Sequence, residues 1–351
     1  MLKQTIRNIV RNIRWDEYHR MHKTYAETAL SIIESEQGKL NPRFKKQARD
    51  YSHEVLGRER FSPWLNVYTA VAGEFKEGWL PDDYYGRYVV PKISGLYGKT
   101  SATKPLNQKL LGTDNLPDIA YFINGLFFSS TWEVIKTKDI AGYLFADCGQ
   151  IVYKKDSSNQ GAGVILFEKN NFTIDKIYQG GNGVFQKFIN QHDFFTEFVP
   201  GPVATLRITS VVGNSGEITC RAAFLRLGRK SETHIKWTNN LIIPIDLDSG
   251  ILDERAYLPN WSSVKEKHPD TNISFAGKQI PKFEECLEFI IKTHQAIPFC
   301  RCVGWDIILD KDEKVQLIEW NGEHNDIKFS EATQGPCFAD MGWERIHRED
   351  S

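Results

Sequence analysis

The sequence lacks any long hydrophobic run. No apolar stretch in its 351 residues reaches the roughly 18–20 residues that a membrane-spanning helix needs. The sequence also has no excess of positive or negative charge, since its formal net charge is −1 at pH 7. Such a balance excludes a global attraction to nucleic acid. We expect no nucleic-acid partner, and a site for a polyanion must be a local cluster of lysine and arginine.

Cysteine is sparse and has no zinc-binding spacing. The six cysteines are scattered, and Cys300 and Cys302 are separated by a single residue. This usage is typical of a reducing compartment with free thiols. The N-terminus also lacks the uninterrupted apolar segment of a secretory signal, because Arg7, Arg11 and Arg14 interrupt it. We therefore expect a cytoplasmic protein.

Apolar residues at helical spacing predict a long amphipathic helix over residues 2–33. The apolar stripe runs through Leu2, Ile6, Ile9, Val10, Ile13, Tyr18, Met21, Tyr25, Ala29, Ile32 and Ile33. Lys3, Arg7 and Arg11 line a different face. Two interpretations stay open. The helix associates peripherally with a membrane surface, or its stripe packs on the protein's own core while its charges are solvated.

Strand patterns dominate the second part of the chain. Runs rich in β-branched and aromatic residues predict strands at residues 121–128, 150–153, 161–167, 184–189, 204–212, 218–227, 241–245, 302–309 and 315–319. One strong helix is predicted at 282–293, with Pro281 before it. Many strands with few helices indicate an α+β fold.

The last two predicted strands form a hairpin that brings acidic residues together. Asp306 is early in the first strand and Glu319 is at the end of the second. These positions are neighbours in an antiparallel hairpin, with Asn321 on the same side as Glu319. Two carboxylates and a carboxamide oxygen suit Mg²⁺ beside nucleotide phosphates, and without metal we expect repulsion to raise at least one carboxyl pKa. A surface hairpin with solvated acids is the alternative.

A second cluster combines lysine with a loop of small residues. A predicted strand leads into Lys154 and Lys155, and the loop that follows carries Gly161 and Gly163. Such a loop can bring backbone N–H groups close to phosphate, while the lysine supplies a point charge. An ordinary hairpin loop is the competing interpretation.

The order of these features resembles an ATP-grasp enzyme: a lysine after a strand, a glycine-rich loop, a hinge, an arginine strand and an Asp…Glu-x-Asn hairpin. More narrowly, the chain is similar to the bacterial sugar-transfer-associated ATP-grasp family of surface-polysaccharide biosynthesis. The matching motifs are at residues 79–84, 103–117, 185–192, 205–208, 225–228, 268–271 and 304–321. The resemblance implies two α+β lobes gripping ATP over 101–345, the smaller at 101–185 and the larger at 186–345, with residues 1–100 as a helical N-terminal cap.

The resemblance also implies a role for each site residue. The residues that would contact ATP are Lys104, Lys154, Gly161, Gly163, Gln186, Lys187, Phe188 and Ile189. Lys104 and Lys154 would reach the phosphates, and the two glycines would form a lid over them. The four consecutive residues 186–189 would be the hinge that receives adenine. The catalytic residues would be Arg207, Arg226 and Lys154. Mg²⁺ would be held by Asp306, Glu319 and Asn321.

The chain departs from the family pattern at three places. Lys187 stands where the family usually has Glu, and Lys155 replaces a frequent Pro. Residues 237–240 lack the Asp-Asn and paired glycines that commonly follow the arginine strand, which bears on acceptor recognition. His192 and His324 are expected to be structural or peripheral rather than catalytic bases.

The implied function is an ATP- and Mg²⁺-dependent carboxylate–amine ligase that forms an acyl phosphate. Its substrates would be a small carboxylate and an amine, linked to a sugar or sugar acid. Two alternatives stay open, a kinase acting on a sugar or small-molecule hydroxyl and a non-catalytic nucleotide-binding component of a polysaccharide assembly complex. The complete Asp306, Glu319 and Asn321 set argues against the second. Neither the substrates' identities nor the oligomeric state follows from the sequence.

Overall fold

The structure is a computed structural model, and it describes residues 2–156, 163–200, 204–229 and 240–350. Gly161 and residues 237–239, which the sequence analysis singled out, lie outside the described residues.

Helices and strands are numbered here in chain order. The α-helices α1 to α11 are Leu2–Gln37, Pro42–Glu54, Ser62–Ala72, Asp82–Tyr84, Val90–Ile93, Asn107–Leu111, Ile140–Leu144, Ile174–Gly180, Asp193–Phe198, Phe283–His294 and Lys328–Gln334. The strands β1 to β13 are Asp118–Ile123, Leu126–Ser129, Val134–Ile135, Gln150–Lys155, Val164–Glu168, Gly183–Lys187, Thr205–Val212, Ile218–Leu227, Leu241–Ile245, Arg255–Tyr257, Ser263–Lys265, Cys302–Leu309 and Val315–Asn321.

The N-terminal helices form a cap, and α1 contributes one buried face to it. Ala26, Ala29 and Ile33 are buried and pack with α3 in one apolar cluster. The predicted apolar stripe is wrong at Val10, Ile13, Met21 and Tyr25, which are exposed. Between Ile13 and Ala26, His19 and His22 of α1 occupy the buried face instead. No helix in the described part of the chain is both long and apolar enough to span a membrane.

A six-stranded antiparallel sheet forms the first lobe, in the order β3-β2-β1-β6-β4-β5. The single strand predicted at 121–128 is wrong, because β1 and β2 are two strands of a hairpin. The chain reverses at Asn124 and Gly125, whose φ angles are 51° and 84°. Asn-Gly is the preferred pair for a two-residue hairpin turn with two positive φ angles, so the sequence did contain this signal.

A seven-stranded antiparallel sheet, in the order β11-β10-β9-β8-β7-β12-β13, forms the second lobe. One face of this sheet packs against α10 and buries Leu206, Ile208, Trp305 and Ile307. The helix predicted at 282–293 is confirmed as α10. Side chains alternate along a strand, so the intervening residues of β7 and β12 face the cap. Strands β10 and β11 were not predicted, since three residues each are too few for a periodic signal.

Glu331 of α11 joins the cap to the C-terminal segment. Its side chain is fully buried, and its two oxygens accept hydrogen bonds from the backbone N–H groups of Leu80 and Cys337, both at 2.8 Å. Burial raises the pKa of Glu331 from 4.5 to about 7, although both backbone hydrogen bonds oppose the shift. The folded protein therefore retains this proton at pH values where the unfolded chain has lost it.

We predict that Glu331 makes stability fall with rising pH. The pKa of Glu331 is higher in the folded protein than in the unfolded chain. Its contribution to the free energy of unfolding is therefore complete below pH 4.5 and is lost as the pH rises to about 7. The Glu331→Gln variant cannot titrate, and its melting temperature relative to wild type should rise across this window. Thermal unfolding at a series of pH values measures the difference. Glu197→Gln, at an exposed glutamate, should show no trend, and an equal trend in both variants would contradict the assignment.

Candidate active site

A row of charged side chains crosses three strands on the face of the large sheet that the cap covers. Arg207 of β7 lies opposite Asp306 of β12, and Asp306 lies opposite Glu319 of β13. The prediction that Asp306 and Glu319 are neighbours is therefore confirmed. Asn321 lies two residues further along β13, opposite Gly304.

The Asp306 carboxylate is shared by two guanidinium groups. Arg207 binds it in a bidentate manner, with Nε to Oδ1 and Nη2 to Oδ2 both at 2.7 Å. Arg226 of β8 adds Nη1 to Oδ1 at 3.2 Å. Asn321 Nδ2 lies 3.5 Å from Oδ2. The two guanidiniums therefore share one carboxylate.

This arrangement reverses the expected electrostatics of the acidic pair. Burial raises the pKa of Asp306, but Arg207 and Arg226 outweigh it and the net shift is downward. The expectation of a carboxyl pKa raised by repulsion is wrong for Asp306, because the guanidiniums neutralise it. Burial and then the like charge of Arg207 lower the pKa of Arg226 to about 10. Glu319 and Asp326 also favour the charged form of both guanidiniums.

The two predicted phosphate lysines approach the same site from the small lobe. Lys154 of β4 reaches the large lobe, where Nζ donates to the carbonyl of Ile318 at 3.4 Å. Burial and the nearby charge of Lys104 lower the pKa of Lys154, while Glu319 and Asp118 oppose the shift. Lys104 is only 7 % exposed. The Lys104 backbone N–H donates to Asp156 Oδ1 at 2.9 Å, two residues after Lys154. Tertiary folding therefore brings Lys104 to the end of the strand that carries Lys154.

Asp118 belongs to the site and was missed by the sequence analysis. Gln186 Nε2 donates to its Oδ1 at 2.7 Å, and the Tyr121 hydroxyl donates to its Oδ2 at 3.2 Å. Burial raises the pKa of Asp118 to about 6, although Lys154 opposes the shift. An acid at the start of a strand was the available signal, but its nearness to Lys154 depends on the sheet order.

The predicted adenine hinge lies at the end of β6. Gln186 is buried and uses its side chain on Asp118. The strand ends at Lys187, whose side chain is exposed and whose N–H donates to the carbonyl of Pro117 at 2.8 Å. Phe188 and Ile189 follow and are half-buried. Their contact with adenine stays a prediction.

The predicted glycine lid is described only at its end. The Gly163 carbonyl accepts a hydrogen bond from the Lys155 backbone N–H at 2.9 Å. Gly163 therefore closes the β4–β5 hairpin directly beside the strand that carries Lys154. Its role over the phosphates stays a prediction.

The predicted metal ligands fit Mg²⁺ by their chemistry. Asp306 and Glu319 are cross-strand partners, and a carboxamide oxygen would complete a set of hard oxygen donors. In the described residues no group of three or more His, Cys, Asp and Glu could hold a metal, so the third ligand would have to be Asn321. Its amide nitrogen faces Asp306, and the carboxamide would turn to offer its oxygen. The metal role stays a prediction.

Comparison with known proteins agrees with the fold and the order of the motifs. Residues 176–340, just under half of the 351 residues, match the family described as "Sugar-transfer associated ATP-grasp". This chain has an ATP-grasp fold. The resemblance predicted from the sequence is confirmed over the matched segment, which carries β6 to β13 and the Asp306 hairpin. A search of curated protein sequences finds no match.

Several solved structures are similar to this chain at low sequence identity. The ATP-grasp ligase PsnB, complexed with a precursor variant, Mg and ADP, is 13% identical over 88% of this chain and 75% of its own, with a TM-score of 0.42. The N5-carboxyaminoimidazole ribonucleotide synthetase of Thermotoga maritima is 11% identical over 75% of this chain and 56% of its own, with a TM-score of 0.40. The biotin carboxylase domain of Hydrogenobacter thermophilus 2-oxoglutarate carboxylase, with MgADP, ADP and bicarbonate, is 10% identical over 70% and 45%, with a TM-score of 0.42.

This chain spans about half the length of the synthetase and of the carboxylase domain. At TM-scores below 0.5, the likeness to these structures does not extend to their ligands or activities.

We predict that Asp306→Asn strongly lowers the free energy of unfolding of this protein. The substitution leaves two buried guanidiniums without their anion, which costs about 3–5 kcal/mol. Inorganic phosphate should restore part of the loss by replacing the carboxylate. Urea unfolding with and without phosphate measures both effects.

Asp340→Asn is the matched control. Asp340 also binds an arginine in a bidentate manner, Arg221, at 3.0 and 2.8 Å, but its side chain is 59 % exposed. Loss of such a surface pair costs about 0–1 kcal/mol. Equal losses in the two variants, or equal rescue by phosphate, would contradict an anion site at Arg207 and Arg226.

Proposed function

We propose that this protein is an ATP- and Mg²⁺-dependent carboxylate–amine ligase. The observation that carries the proposal is the buried Asp306 carboxylate shared by Arg207 and Arg226, with Lys154 reaching across from the other lobe. The charged side chains of Arg207, Arg226 and Lys154, which the two sheets bring together, suit the binding of a triphosphate. The family match supports this proposal over residues 176–340.

The proposed chemistry needs positioning and charge neutralisation rather than a protein nucleophile. A substrate carboxylate oxygen attacks the γ-phosphorus of ATP, the bond to the bridging oxygen breaks, and ADP leaves. The amine nitrogen then attacks the acyl carbon, the bond to phosphate breaks, and the nitrogen gives up a proton as the amide forms. Lysine and arginine charges that surround the moving phosphoryl group stabilise the transition state.

Each site residue has one task in this scheme. Lys104 and Lys154 bind the outer phosphates, and Arg207 and Arg226 turn from Asp306 toward the acyl phosphate. Glu319 and Asn321, with Asp306, would hold Mg²⁺, which supplies further neutralisation of phosphate charge when bound. The six cysteines are free thiols, as predicted, and the proposed chemistry assigns none of them a role.

The family description suggests a sugar-linked substrate. We therefore propose a carboxylate or amine carried by a sugar or sugar acid as one of the two substrates, in surface-polysaccharide biosynthesis. Product analysis separates this function from a kinase. A ligase releases ADP and phosphate with the amide, whereas a kinase releases ADP and a phosphorylated acceptor.

We predict that Lys154→Ala and Lys104→Ala each weaken ATP binding roughly 10- to 100-fold, or about 1–3 kcal/mol. AMP binding should change much less, because the lysines are assigned to the outer phosphates. Calorimetric titration of each variant with ATP and with AMP measures the difference.

Lys155→Ala is the matched control for Lys154. Lys155 is the next residue of β4, is exposed, and points to the opposite face of the sheet. Its loss should leave ATP affinity within about twofold of wild type. If both lysine variants lost equal affinity for ATP and AMP, the lysines would contact the adenosine part of the nucleotide and not the outer phosphates. If neither variant lost affinity for either nucleotide, a phosphate site at these lysines would be refuted.

We predict that Glu319→Gln abolishes ATP turnover while the fold is retained. The amide keeps the shape of the side chain but loses the negative charge that a divalent cation requires. ADP release at increasing Mg²⁺ concentration tests this prediction, with circular dichroism as the control for folding. The exposed Glu323→Gln, on the loop that follows β13, should behave like wild type. Normal turnover in Glu319→Gln would refute the metal assignment.

A further inference from the structure

A second polar cluster lies between the cap and the arginine pair. We call it the cap cluster and define it by Tyr18, Asp82, Asp83 and His324. It adjoins the active site, because Arg207 Nη1 donates to the carbonyl of Asn325 at 3.2 Å, directly after His324 in the chain. The cluster reaches solvent at His324, whose side chain is 31 % exposed.

Asp82 is buried without a hydrogen-bond donor for its Oδ1. It is 2 % exposed, and Oδ1 has no partner. Three nitrogens, on His22, Lys328 and His324, each lie 3.8 Å from one of its oxygens. That distance is too long for a hydrogen bond, and a buried polar atom without one is costly.

The hydrogen bonds of the two histidines explain why they leave Asp82 unsatisfied. The indole N–H of Trp64 donates to His22 Nδ1 at 3.1 Å, so this nitrogen is an acceptor. Burial lowers the pKa of His22 and keeps it neutral. The Asp326 N–H donates to His324 Nδ1 at 3.2 Å, so the His324 proton is on Nε2. Nε2 also has no hydrogen-bond partner.

Asp83 is fixed through one oxygen and unsatisfied at the other. Arg87 Nη1 donates to His19 Nε2 at 2.9 Å, so the His19 proton is on Nδ1 and is donated to Asp83 Oδ2 at 2.8 Å. Asp83 is 3 % exposed, and its Oδ1 has no partner. The carboxylate is therefore held in place with one oxygen available.

The Tyr18 hydroxyl completes the cluster and is also buried without a partner. The Tyr18 ring lies against His22 and His19, with ring centroids 4.3 and 5.7 Å away, and these histidines face Asp82 and Asp83. Burial raises the pKa of Tyr18, and the charges of both carboxylates add to the shift. The hydroxyl lies against Gly86, where a Cβ would clash with it and would stand 3.0 Å from His324 Nε2. Gly86 belongs to a π-helical turn, Tyr85–Val89, an irregularity common at functional sites.

We propose that the cap cluster binds the amine substrate of the ligase, by its primary ammonium group. Two carboxylate oxygens lack donors, against a single unpaired N–H, that of His324, and the Tyr18 hydroxyl can both donate and accept. This excess of acceptors and negative charge favours a ligand that is rich in N–H groups and positively charged. A primary ammonium has three such donors and compensates one buried negative charge. A sugar hydroxyl supplies a single donor and no charge, and a carboxylate or phosphate would be repelled by Asp82 and Asp83.

This inference rests on the proposed function for its place in the reaction. Bound at the cap cluster, the amine stands on the cap side of Arg207, next to the arginines assigned to the acyl phosphate. The ammonium gives one proton to the Asp82 carboxylate before its nitrogen attacks the acyl carbon, because only the neutral amine carries a lone pair. The cap would then supply the acceptor site, while the two lobes supply the nucleotide site.

The test is ligand-observed saturation-transfer NMR on the full chain. The probes are ethylamine, ethanolamine and the twenty standard amino acids, each compared with its N-acetylated counterpart. We expect at least one free amine to bind and its acetylated form not to bind. Asp82→Asn should reduce the affinity at least tenfold, and Asp340→Asn should not.

The melting temperature separates a binding role from a structural role. Asp82→Asn removes a buried charge that lacks donors, so the ligand-free variant should melt at the same or a higher temperature. Tyr18→Phe removes a single unsatisfied hydroxyl and serves as a second variant, with weaker amine binding at an unchanged or higher melting temperature. Destabilisation of both variants with unchanged amine affinity would overturn the proposal.

ATP titration distinguishes failure of this inference from failure of the proposed function. If wild type binds ATP but no free amine binds, or amines bind equally to wild type and Asp82→Asn, the amine site is wrong and the ATP site stands. If amine binding is lost in Asp82→Asn but wild type does not bind ATP, the amine site stands and the ligase function is wrong.

Discussion

The arrangement of the active site depends on one buried carboxylate that holds two guanidinium groups. Asp306 keeps Arg207 and Arg226 charged in a place where burial alone would disfavour them. Glu319 and Asp326 add to this stabilisation of the two guanidiniums. Strand register makes this possible, because β7 and β12 put Arg207 directly opposite Asp306.

Around this centre the three parts of the protein contribute different chemistry. The small sheet brings Lys154 and Asp118, the large sheet brings Asp306 and Glu319, and the cap brings a set of unsatisfied polar groups. The cap is attached through a buried glutamate that accepts two backbone hydrogen bonds, so its position relative to the sheet is well defined. Buried polar groups without hydrogen bonds are costly for stability, and a bound ligand with complementary donors would offset that cost.

The sequence predicted the structure best where two strands that pair are also neighbours in the chain. The hairpin of β12 and β13 is an example, because two apolar runs and a short charged turn determine which residues are opposite, and Asp306 does face Glu319. The α10 helix was also predicted, since its apolar period is strong. The reading of residues 121–128 as one strand was wrong, because the composition of the apolar run outweighed the Asn-Gly pair that ends β1 and starts β2.

The sequence by itself determined the order of the chemical groups along the chain and the secondary structure that carries them. It also determined the pairing of the Asp306 hairpin, because neighbours in sequence have few ways to pair. Only the tertiary structure decided that Lys104 and Lys154 share one site, that Asp118 joins them, and that Asp306 is neutralised by arginines 80 and 99 residues away. Such contacts depend on sheet order and on the docking of the cap, which arise from burial summed over the whole core and not from any local pattern.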